Sequence, residues 1–231
     1  MTKILSYAIL FTALFACSTS NNSNDDEIFN FNTLSEWVDN SQNMNGVINY
    51  KLNGDTLEMW TRKGTYDRPK VCLKDRSYGA AEYQFRLFVP EMGIGDQTSV
   101  GAFIYHDDHH ELDFEIGYGK NEDREKVSAK DDELLCFMTN QDHPFSSTPK
   151  PMKYNQWYTC TIKLTVKEDK KYKAEWLVDG ELWNTLDLEF GDQYPFKVIV
   201  SVENLLFIGD HVSTQRNYGL FDWVKIKEDK N

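Results

Sequence analysis

Three acidic residues recur at every second position near the middle of the chain. Successive side chains of an extended strand point to opposite faces, so Glu111, Asp113 and Glu115 share one face. The intervening side chains are apolar and point toward a core: Leu112, Phe114 and Ile116. Because like charges disfavour each other's ionisation, such a row raises the pKa of one carboxyl group while a neighbour stays ionised.

One protonated and one ionised carboxyl group form the acid and nucleophile pair that hydrolysis of a glycosidic bond uses. Residues four apart on a strand are about 13 Å apart at the backbone, so Glu111 and Glu115 must lean together over the shorter Asp113. The alternative is a solvated outer face whose charges are matched by Lys or Arg on neighbouring strands. The partner run Val100 to Ile104 contains no basic residue, which favours the catalytic interpretation.

Here the sequence resembles a known family. Glu111-Leu112-Asp113-Phe114-Glu115 is similar to the Glu-x-Asp-x-Glu strand of glycoside hydrolase family 16, whose members are two-sheet jelly rolls of the concanavalin A-like type. Four further segments resemble family strands in the family's order: Ser77 to Arg86, Gly101 to Ile104, Lys173 to Gly180 and Phe221 to Ile226.

The resemblance implies a role for each acid. Glu111 would be the nucleophile and Glu115 the general acid/base, while Asp113 would tune them, by hydrogen bonding to the nucleophile. No residue is inserted between Asp113 and Glu115, as in the lichenase and xyloglucan-active branches, which implies a β-glucan backbone. The chain departs from the family at His110, which precedes the first glutamate, and at Gln156 to Thr159, where a histidine is usual.

Other residues are candidates for contact with substrate or metal. Trp60, Tyr105, Trp176 and Trp183 could stack on sugar rings, and Trp176 is the best candidate, because its hairpin borders the cleft in the family. His109 could line the cleft, although a turn position is the alternative. Asp107 to His110 has neither the spacing nor the second group of ligands of a metal site. We expect no cofactor, and a structural calcium ion stays open.

The elements that must position these residues are strands. Period-two alternation recurs, whereas sustained helical periodicity does not. The chain therefore predicts an all-β, two-sheet antiparallel β-sandwich, in one domain spanning residues 27–231. The only helix signal lies at Asn32 to Asn40. The predicted strands are Val47 to Leu52, Asp55 to Thr61, Ala81 to Val89, Val100 to Tyr105, Glu111 to Tyr118, Leu134 to Met138, Trp157 to Val166, Tyr172 to Val178, Glu181 to Leu188, Phe196 to Val202, Leu205 to Ile208 and Tyr218 to Lys227.

The first residues indicate export. Residues 1–16 form a short basic and then apolar segment that is typical of a signal peptide. Leu14 to Cys17 resembles a bacterial lipobox, in which Cys17 becomes the lipidated first residue; an ordinary signal peptide is the alternative. Ser18 favours the outer membrane of a Gram-negative bacterium, on either its surface or its periplasmic face. Residues 17–26 would be a polar tether.

Composition limits the partners. The formal net charge is −12 with no Lys/Arg-rich run, which argues against a nucleic-acid binder. We expect a monomer whose partner is a polysaccharide or oligosaccharide and whose only membrane contact is the lipid anchor. The predicted activity is that of a retaining, endo-acting glycoside hydrolase. The alternatives are a glycan-binding lipoprotein of the same fold without turnover, and a structural envelope lipoprotein. Free buried thiols are expected at Cys72, Cys136 and Cys160, with one disulfide as the alternative.

Overall fold

The computed structural model describes residues 26–228, which form fifteen strands and one helix. The elements in chain order are β1 (Glu27–Asn30), β2 (Trp37–Asp39), β3 (Tyr50–Asn53), β4 (Thr56–Thr61), β5 (Lys70–Leu73), β6 (Ala81–Val89), β7 (Thr98–Asp107), β8 (His110–Gly117), α1 (Asn121–Val127), β9 (Glu133–Asn140), β10 (Ser146–Lys153), β11 (Gln156–Val166), β12 (Lys171–Val178), β13 (Glu181–Gly191), β14 (Lys197–Asn204) and β15 (Asn217–Glu228). The predicted cleavage site, Cys17 and most of the tether lie outside the described residues.

The strands form two antiparallel sheets, which confirms the predicted β-sandwich. The eight-stranded sheet has the order β13-β12-β11-β6-β15-β4-β3, with β1 added along β15. The seven-stranded sheet has the order β10-β9-β8-β7-β14-β5-β2. Strand β8 therefore lies inside the seven-stranded sheet, between β9 and β7, where its backbone is hydrogen-bonded on both sides.

A single large core fills the space between the sheets. Alternate residues of β6 are buried along its whole length, as the period-two pattern predicts. The largest fully buried side chains include Trp176, Tyr83, Phe85 and Phe114. Because both inner faces are apolar, any polar row on the seven-stranded sheet must lie on its outer face.

Two sequence predictions about local structure are wrong. Leu205 to Ile208 forms turns rather than a strand; Leu205 and Ile208 instead pack with Leu135 and Phe137 in a small apolar cluster on the outer side. Asn32 to Asn40 contains turns and β2 instead of a helix. Apolar content alone does not specify strand pairing, since a partner with free backbone groups is also needed.

Several elements were not predicted. Strand β10 contains Pro149 and Pro151, which lack the N–H groups of a central strand, and it is accordingly the edge strand of its sheet. The short helix α1 has only seven residues, too few for a clear helical period. Strands β1, β2 and β5 are likewise short, so they have too few residues for visible alternation.

The three cysteines of the described residues were predicted to be free thiols, and the one helix can be compared with the length of a membrane span. Cys72, Cys136 and Cys160 are free and buried, which confirms the predicted thiols. Within residues 26–228, α1 is too short and too polar to cross a membrane.

Candidate active site

Strand β8 presents all three acids of the row on the outer face of the seven-stranded sheet. Leu112, Phe114 and Ile116 are fully buried in the core, as predicted. On the other face Asp113 is fully buried and Glu115 is 6% exposed, whereas Glu111 is more accessible. The acids therefore do not form a solvated face, and this contradicts the structural alternative raised by the sequence.

A cavity of about 580 Å³ crosses this outer face and is lined by Glu111 and Glu115. Its walls come from β2, β5, β7, β8 and β14 and from adjoining loops, among them the residues just before β5 and just after β9. Its apolar floor includes Phe103, Ile199 and Cys72, which pack as one cluster with Tyr105 at its edge. The site is thus a cavity with an apolar floor and carboxyl groups in its lining.

Glu115 is held in place by β7. The Ser99 hydroxyl donates a hydrogen bond to Glu115 Oε2, and Glu115 lies opposite Gly101 in the strand register. A Cβ atom at Gly101 would lie 3.2 Å from both Glu115 carboxyl oxygens and would overlap Ser201 Oγ. Glycine at this position therefore leaves the space that the glutamate occupies.

Burial and neighbouring charge keep Glu115 protonated near neutral pH. Desolvation, followed by the negative charge of Glu203, raises the pKa of Glu115 to about 8. The hydrogen bond from Ser99 and the charge of Lys70 oppose this rise. A carboxyl group that stays protonated at pH 7 and faces a cavity is suited to act as a general acid.

Burial raises the pKa values of Glu111 and Asp113, the next two acids of the row. The charges of Glu111 and Glu115 raise that of Asp113 further. Gln141 Nε2 donates to Asp113 Oδ2 at 2.8 Å, whereas Asp113 Oδ1 is buried with no partner among the described atoms. A proton on Asp113 directed at Glu111 supplies that partner and favours the ionised form of Glu111.

A second charged group in the cavity was missed by the sequence analysis. Glu203, on β14, is buried and pairs with Lys70 Nζ at 3.0 Å and with Arg68. The positive charges of Lys70 and Arg68 lower the pKa of Glu111, against the stronger effect of burial. Val100 to Ile104 contains no basic residue, yet the carboxyl groups of β8 do have positive charges nearby. These charges come from Lys70 on β5 and from Arg68, which precedes β5.

The predicted substrate contact at Trp176 is wrong. Trp176 is fully buried between the two sheets, so no face of its ring is available to a sugar. Its indole Nε1 instead donates to the backbone oxygen of Asp113 at 3.0 Å. Trp176 thus supports the acidic strand from below, and its burial follows from the inward phase of β12.

The predicted cleft position of His109 is also not found. His109 lies in the turn between β7 and β8, is exposed, and places Nδ1 3.0 Å from Asp142 Oδ2. It does not line the cavity, whereas Tyr105 does. His110, by contrast, is mostly buried and stacks on Tyr194 with ring centroids 3.8 Å apart.

Phe207 is a further aromatic side chain that the sequence analysis did not single out. It lines the cavity and is 56% exposed, so one face of its ring is open to a ligand. Among residues 26–228, no three His, Cys, Asp or Glu side chains are placed to hold a metal ion.

The fold is that of β-glucanases and related enzymes. The chain is similar to a prokaryotic β-1,3-1,4-glucanase (lichenase) derived from a mouse hindgut metagenome, with 14% identity over 88% of this chain and 99% of that one and a TM-score of 0.64. It is similar to the Bacillus licheniformis β-glucanase, with 15% identity, 88% and 98% coverage and a TM-score of 0.58.

A third similar structure is the catalytic domain of an endo-1,3-β-glucanase (laminarinase) from Thermotoga petrophila. Its identity is 14%, the coverage is 84% of this chain and 92% of that one, and the TM-score is 0.60. No family model matches the sequence, and no curated protein matches it. At these identities the likeness concerns the fold.

Proposed function

We propose that the protein is a retaining, endo-acting glycoside hydrolase that cleaves a β-linked polysaccharide. The observation that carries this proposal is the row of carboxyl groups on β8, of which Glu111 and Glu115 line one cavity. Burial raises the pKa of Glu115 to about 8, so it can serve as the acid, and the hydrogen bond from Asp113 opposes the rise that burial causes in the pKa of Glu111. Hydrolysis of a glycosidic bond with retention requires one carboxyl group that donates a proton and a second, ionised one that attacks the anomeric carbon.

In the proposed first step, a Glu111 carboxylate oxygen attacks the anomeric carbon as Glu115 gives its proton to the leaving glycosidic oxygen. The bond to the leaving sugar breaks and a glycosyl ester on Glu111 forms. Ionised Glu115 then takes a proton from a water molecule, whose oxygen attacks the anomeric carbon and releases Glu111. Each step inverts the anomeric centre, so the product retains the β configuration.

Asp113 would act as a positioning residue. Protonated and buried, it donates to Glu111 while Gln141 fixes its other oxygen at 2.8 Å. Loss of the Asp113 proton would place three negative charges on one strand face, which repulsion disfavours.

A β-glucan backbone is the proposed substrate. Three similar folds belong to enzymes described as β-glucanases, and the uninterrupted spacing from Glu111 to Glu115 points the same way. The cavity crosses the strands of an open sheet face, which suits binding within a long chain. Tyr105 and Phe207 border it and would stack on sugar rings.

The test is product release from a panel of β-linked polysaccharides, with wild type, Glu111→Gln and Glu115→Gln in parallel. We expect oligosaccharides from wild type and a loss of at least about 1,000-fold in both variants. Glu181→Gln, an exposed glutamate at the start of β13, is the matched control and should keep full activity. Proton NMR of the first product should show the β anomer.

A binding protein without turnover is the competing function. It would retain glycan affinity in wild type and in Glu111→Gln, with no product from either. Azide offers a further discrimination, because with Glu111→Ala it should attack the open anomeric carbon and form an α-glycosyl azide. Formation of that product requires Glu115 to act as the acid, which a pure binding site would not provide.

We also propose that the chain is a lipoprotein anchored through Cys17 to the outer membrane of a Gram-negative bacterium. The support is the lipobox-like Leu14 to Cys17 and the Ser18 that follows. Metabolic labelling with an alkyne fatty acid should mark wild type and not Cys17→Ser. Labelling of Cys17→Ser at the wild-type level would refute the anchor. Protease treatment of intact cells would distinguish a surface from a periplasmic position.

A further inference from the structure

We propose that the buried Ser201 hydroxyl is a positioning group for Glu115, to which it donates a hydrogen bond once the Glu115 carboxyl group has given up its proton. The inference rests on the proposed function, because in that reaction Glu115 becomes ionised when its proton passes to the leaving sugar. Ser201 belongs to β14, which lies two strands across the sheet from Glu115 on β8.

Ser201 and Glu115 lie in one row across three neighbouring strands. Ser201 pairs with Gly101 on β7, and Gly101 pairs with Glu115 on its other side. Ser201 shares the outer face of β14 with Ile199 and Glu203, which line the cavity. Because glycine carries no side chain, no side-chain atom of β7 separates the Ser201 hydroxyl from the Glu115 carboxyl group in this row.

The space above Gly101 is where the two groups approach each other. A Cβ atom at residue 101 would overlap Ser201 Oγ and would lie 3.2 Å from both carboxyl oxygens of Glu115. The hydroxyl and the carboxyl group therefore border the same small space, from the strands on either side of β7. Rotation of Ser201 about χ1 moves its hydroxyl between staggered positions, so the pair can form a hydrogen bond without a change in the backbone.

Ser201 Oγ lacks a partner in the ligand-free protein. The side chain is fully buried, and its hydroxyl makes no hydrogen bond within residues 26–228. A buried polar group without a partner destabilises a fold, and alanine would fill nearly the same space without that cost. The hydroxyl is explained by a state of the protein in which it has an acceptor, and a carboxylate accepts stronger hydrogen bonds than a neutral group does.

Ionisation of Glu115 creates the need for a second donor. In the ligand-free protein Ser99 donates to Glu115 Oε2. Lys70, which pairs with Ser201 on the side away from Gly101, contacts Glu203 at 3.0 Å instead. No cation therefore donates a hydrogen bond to Glu115 among the described side chains. Since a buried carboxylate is stabilised by each hydrogen bond that it accepts, the Ser201 hydroxyl would favour the ionised form.

The other titratable groups around Glu115 come from four strands. They are Glu111 and Asp113 on β8, Glu203 on β14, Lys70 on β5 and Cys136 on β9. The charges of Glu203 and Glu111 disfavour ionised Glu115, whereas that of Lys70 favours it. Ser201 carries no charge, so its hydrogen bond can favour ionised Glu115 without changing the charge of the row.

The first measurement is the pKa of Glu115 in the ligand-free protein, by carbon-13 NMR of labelled glutamate carboxyl groups. Its signal is the one that Glu115→Gln lacks. Ser201→Ala should raise this pKa by about one pH unit, because the ionised form loses a donor. Ser77→Ala, at an exposed serine between β5 and β6, is the matched control and should leave it unchanged. The melting temperature of Ser201→Ala at pH 7 should not fall, since no hydrogen bond of the ligand-free protein is removed.

The second measurement compares a β-linked glycan with a dinitrophenyl glycoside, whose leaving group needs no acid. Ser201→Ala should lower kcat/KM for the glycan by about threefold to tenfold, because a weaker acid protonates the leaving oxygen less readily. Its kcat/KM for the dinitrophenyl glycoside should equal that of wild type. An equal fall with both substrates would show a purely structural role for Ser201 and would overturn the inference.

The inference is also overturned if the pKa of Glu115 is unchanged or lower in folded Ser201→Ala. Ser201→Thr keeps the hydroxyl and should keep the wild-type pKa; a rise as large as that in Ser201→Ala would contradict a role for the hydroxyl. Glycan hydrolysis by a wild-type protein whose Glu115 pKa does not respond to Ser201→Ala would refute this inference and leave the proposed function standing. A raised pKa in Ser201→Ala, with no turnover of any glycan by wild type, would support the hydrogen bond and refute the hydrolase.

Discussion

Replacing Glu203 with glutamine tests whether its charge sets the protonation of Glu115. Glu203 is buried and forms ion pairs with Lys70 and Arg68. Its negative charge is the largest influence after desolvation on the raised pKa of Glu115. The substitution keeps the side-chain shape and removes that charge.

The strand register supplies the magnitude. Glu203 lies two strands from Glu115 and two residues along, a backbone separation of about 12 Å from the ordinary strand spacing and rise. At an effective dielectric constant of about 20, two unit charges at that distance interact by about 1.4 kcal/mol, which corresponds to about one pH unit. The freed positive charges of Lys70 and Arg68 act in the same direction, so this value is a minimum.

The assay is the pH dependence of kcat/KM for glycan hydrolysis. If Glu115 is the general acid, wild-type activity should fall as pH rises through about 8, when that group ionises. Glu203→Gln should move this alkaline limb to lower pH by at least about one unit. Ser99→Ala removes a hydrogen bond that favours ionised Glu115, so it should move the same limb to higher pH.

The thermal stability of Glu203→Gln must be measured together with its activity, because Lys70 keeps its buried positive charge when Glu203 is replaced by a neutral side chain. Such losses cost about 3–5 kcal/mol in stability, so activity is compared only below the unfolding temperature of each variant. The reasoning is refuted if Glu203→Gln leaves the alkaline limb in place or raises it while the variant remains folded. The reasoning is also contradicted if the alkaline limbs of the pH profiles of Glu203→Gln and Ser99→Ala shift in the same direction.

Three further predictions concern the same cavity. Glu115 stays protonated in the folded protein up to about pH 8 but ionises in the unfolded chain above about pH 4.5, so it lowers stability progressively between these pH values. Glu115→Gln should therefore raise the melting temperature at pH 8 and have little effect near pH 4.5, a difference of a few kcal/mol; an equal effect at both pH values would contradict this. Gly101→Ala should lower kcat/KM by about 100-fold by displacing Glu115, whereas Gly180→Ala, in an open turn, should lower stability rather than kcat/KM. Among the described cysteines, a thiol reagent should label native Cys72 alone, since Cys136 and Cys160 are fully buried. Labelling should be slow because burial raises the pKa of the Cys72 thiol. Bound oligosaccharide should protect Cys72 from the reagent, because Cys72 lines the cavity.

The two-sheet fold and the acidic strand were accessible from local patterns. Residues of β6 and β8 alternate strictly enough to predict strands and their buried faces, because a sheet with one apolar side requires period two. The predicted strands Tyr172 to Val178 and Glu181 to Leu188 leave only Asp179 and Gly180 between them, and both residues have the positive φ that Asp-Gly pairs adopt in tight hairpins. The proline-containing β10 was not predicted, because its pairing depends on its place at a sheet edge.

The candidate site was predictable only in part. Glu111, Asp113 and Glu115 were identified because one strand carries them in a regular row. Trp176 was misassigned because an aromatic residue on an alternating strand fits either face, and only the packing of β12 against the opposite sheet places it inward. Phe207 lies in a segment predicted as a strand, so its open ring beside the cavity gave no sequence signal.

By itself, the sequence determined which face of β8 carries the acids, since alternation is a property of the extended backbone alone. Tertiary structure decided whether those acids are solvated or buried, and hence which of them hold protons. Glu203, Arg68 and Lys70 reach the cavity because β14 lies between β7 and β5, an order that joins segments far apart in the chain. Charges act through space, so the pKa values of the row depend on neighbours that sequence distance conceals.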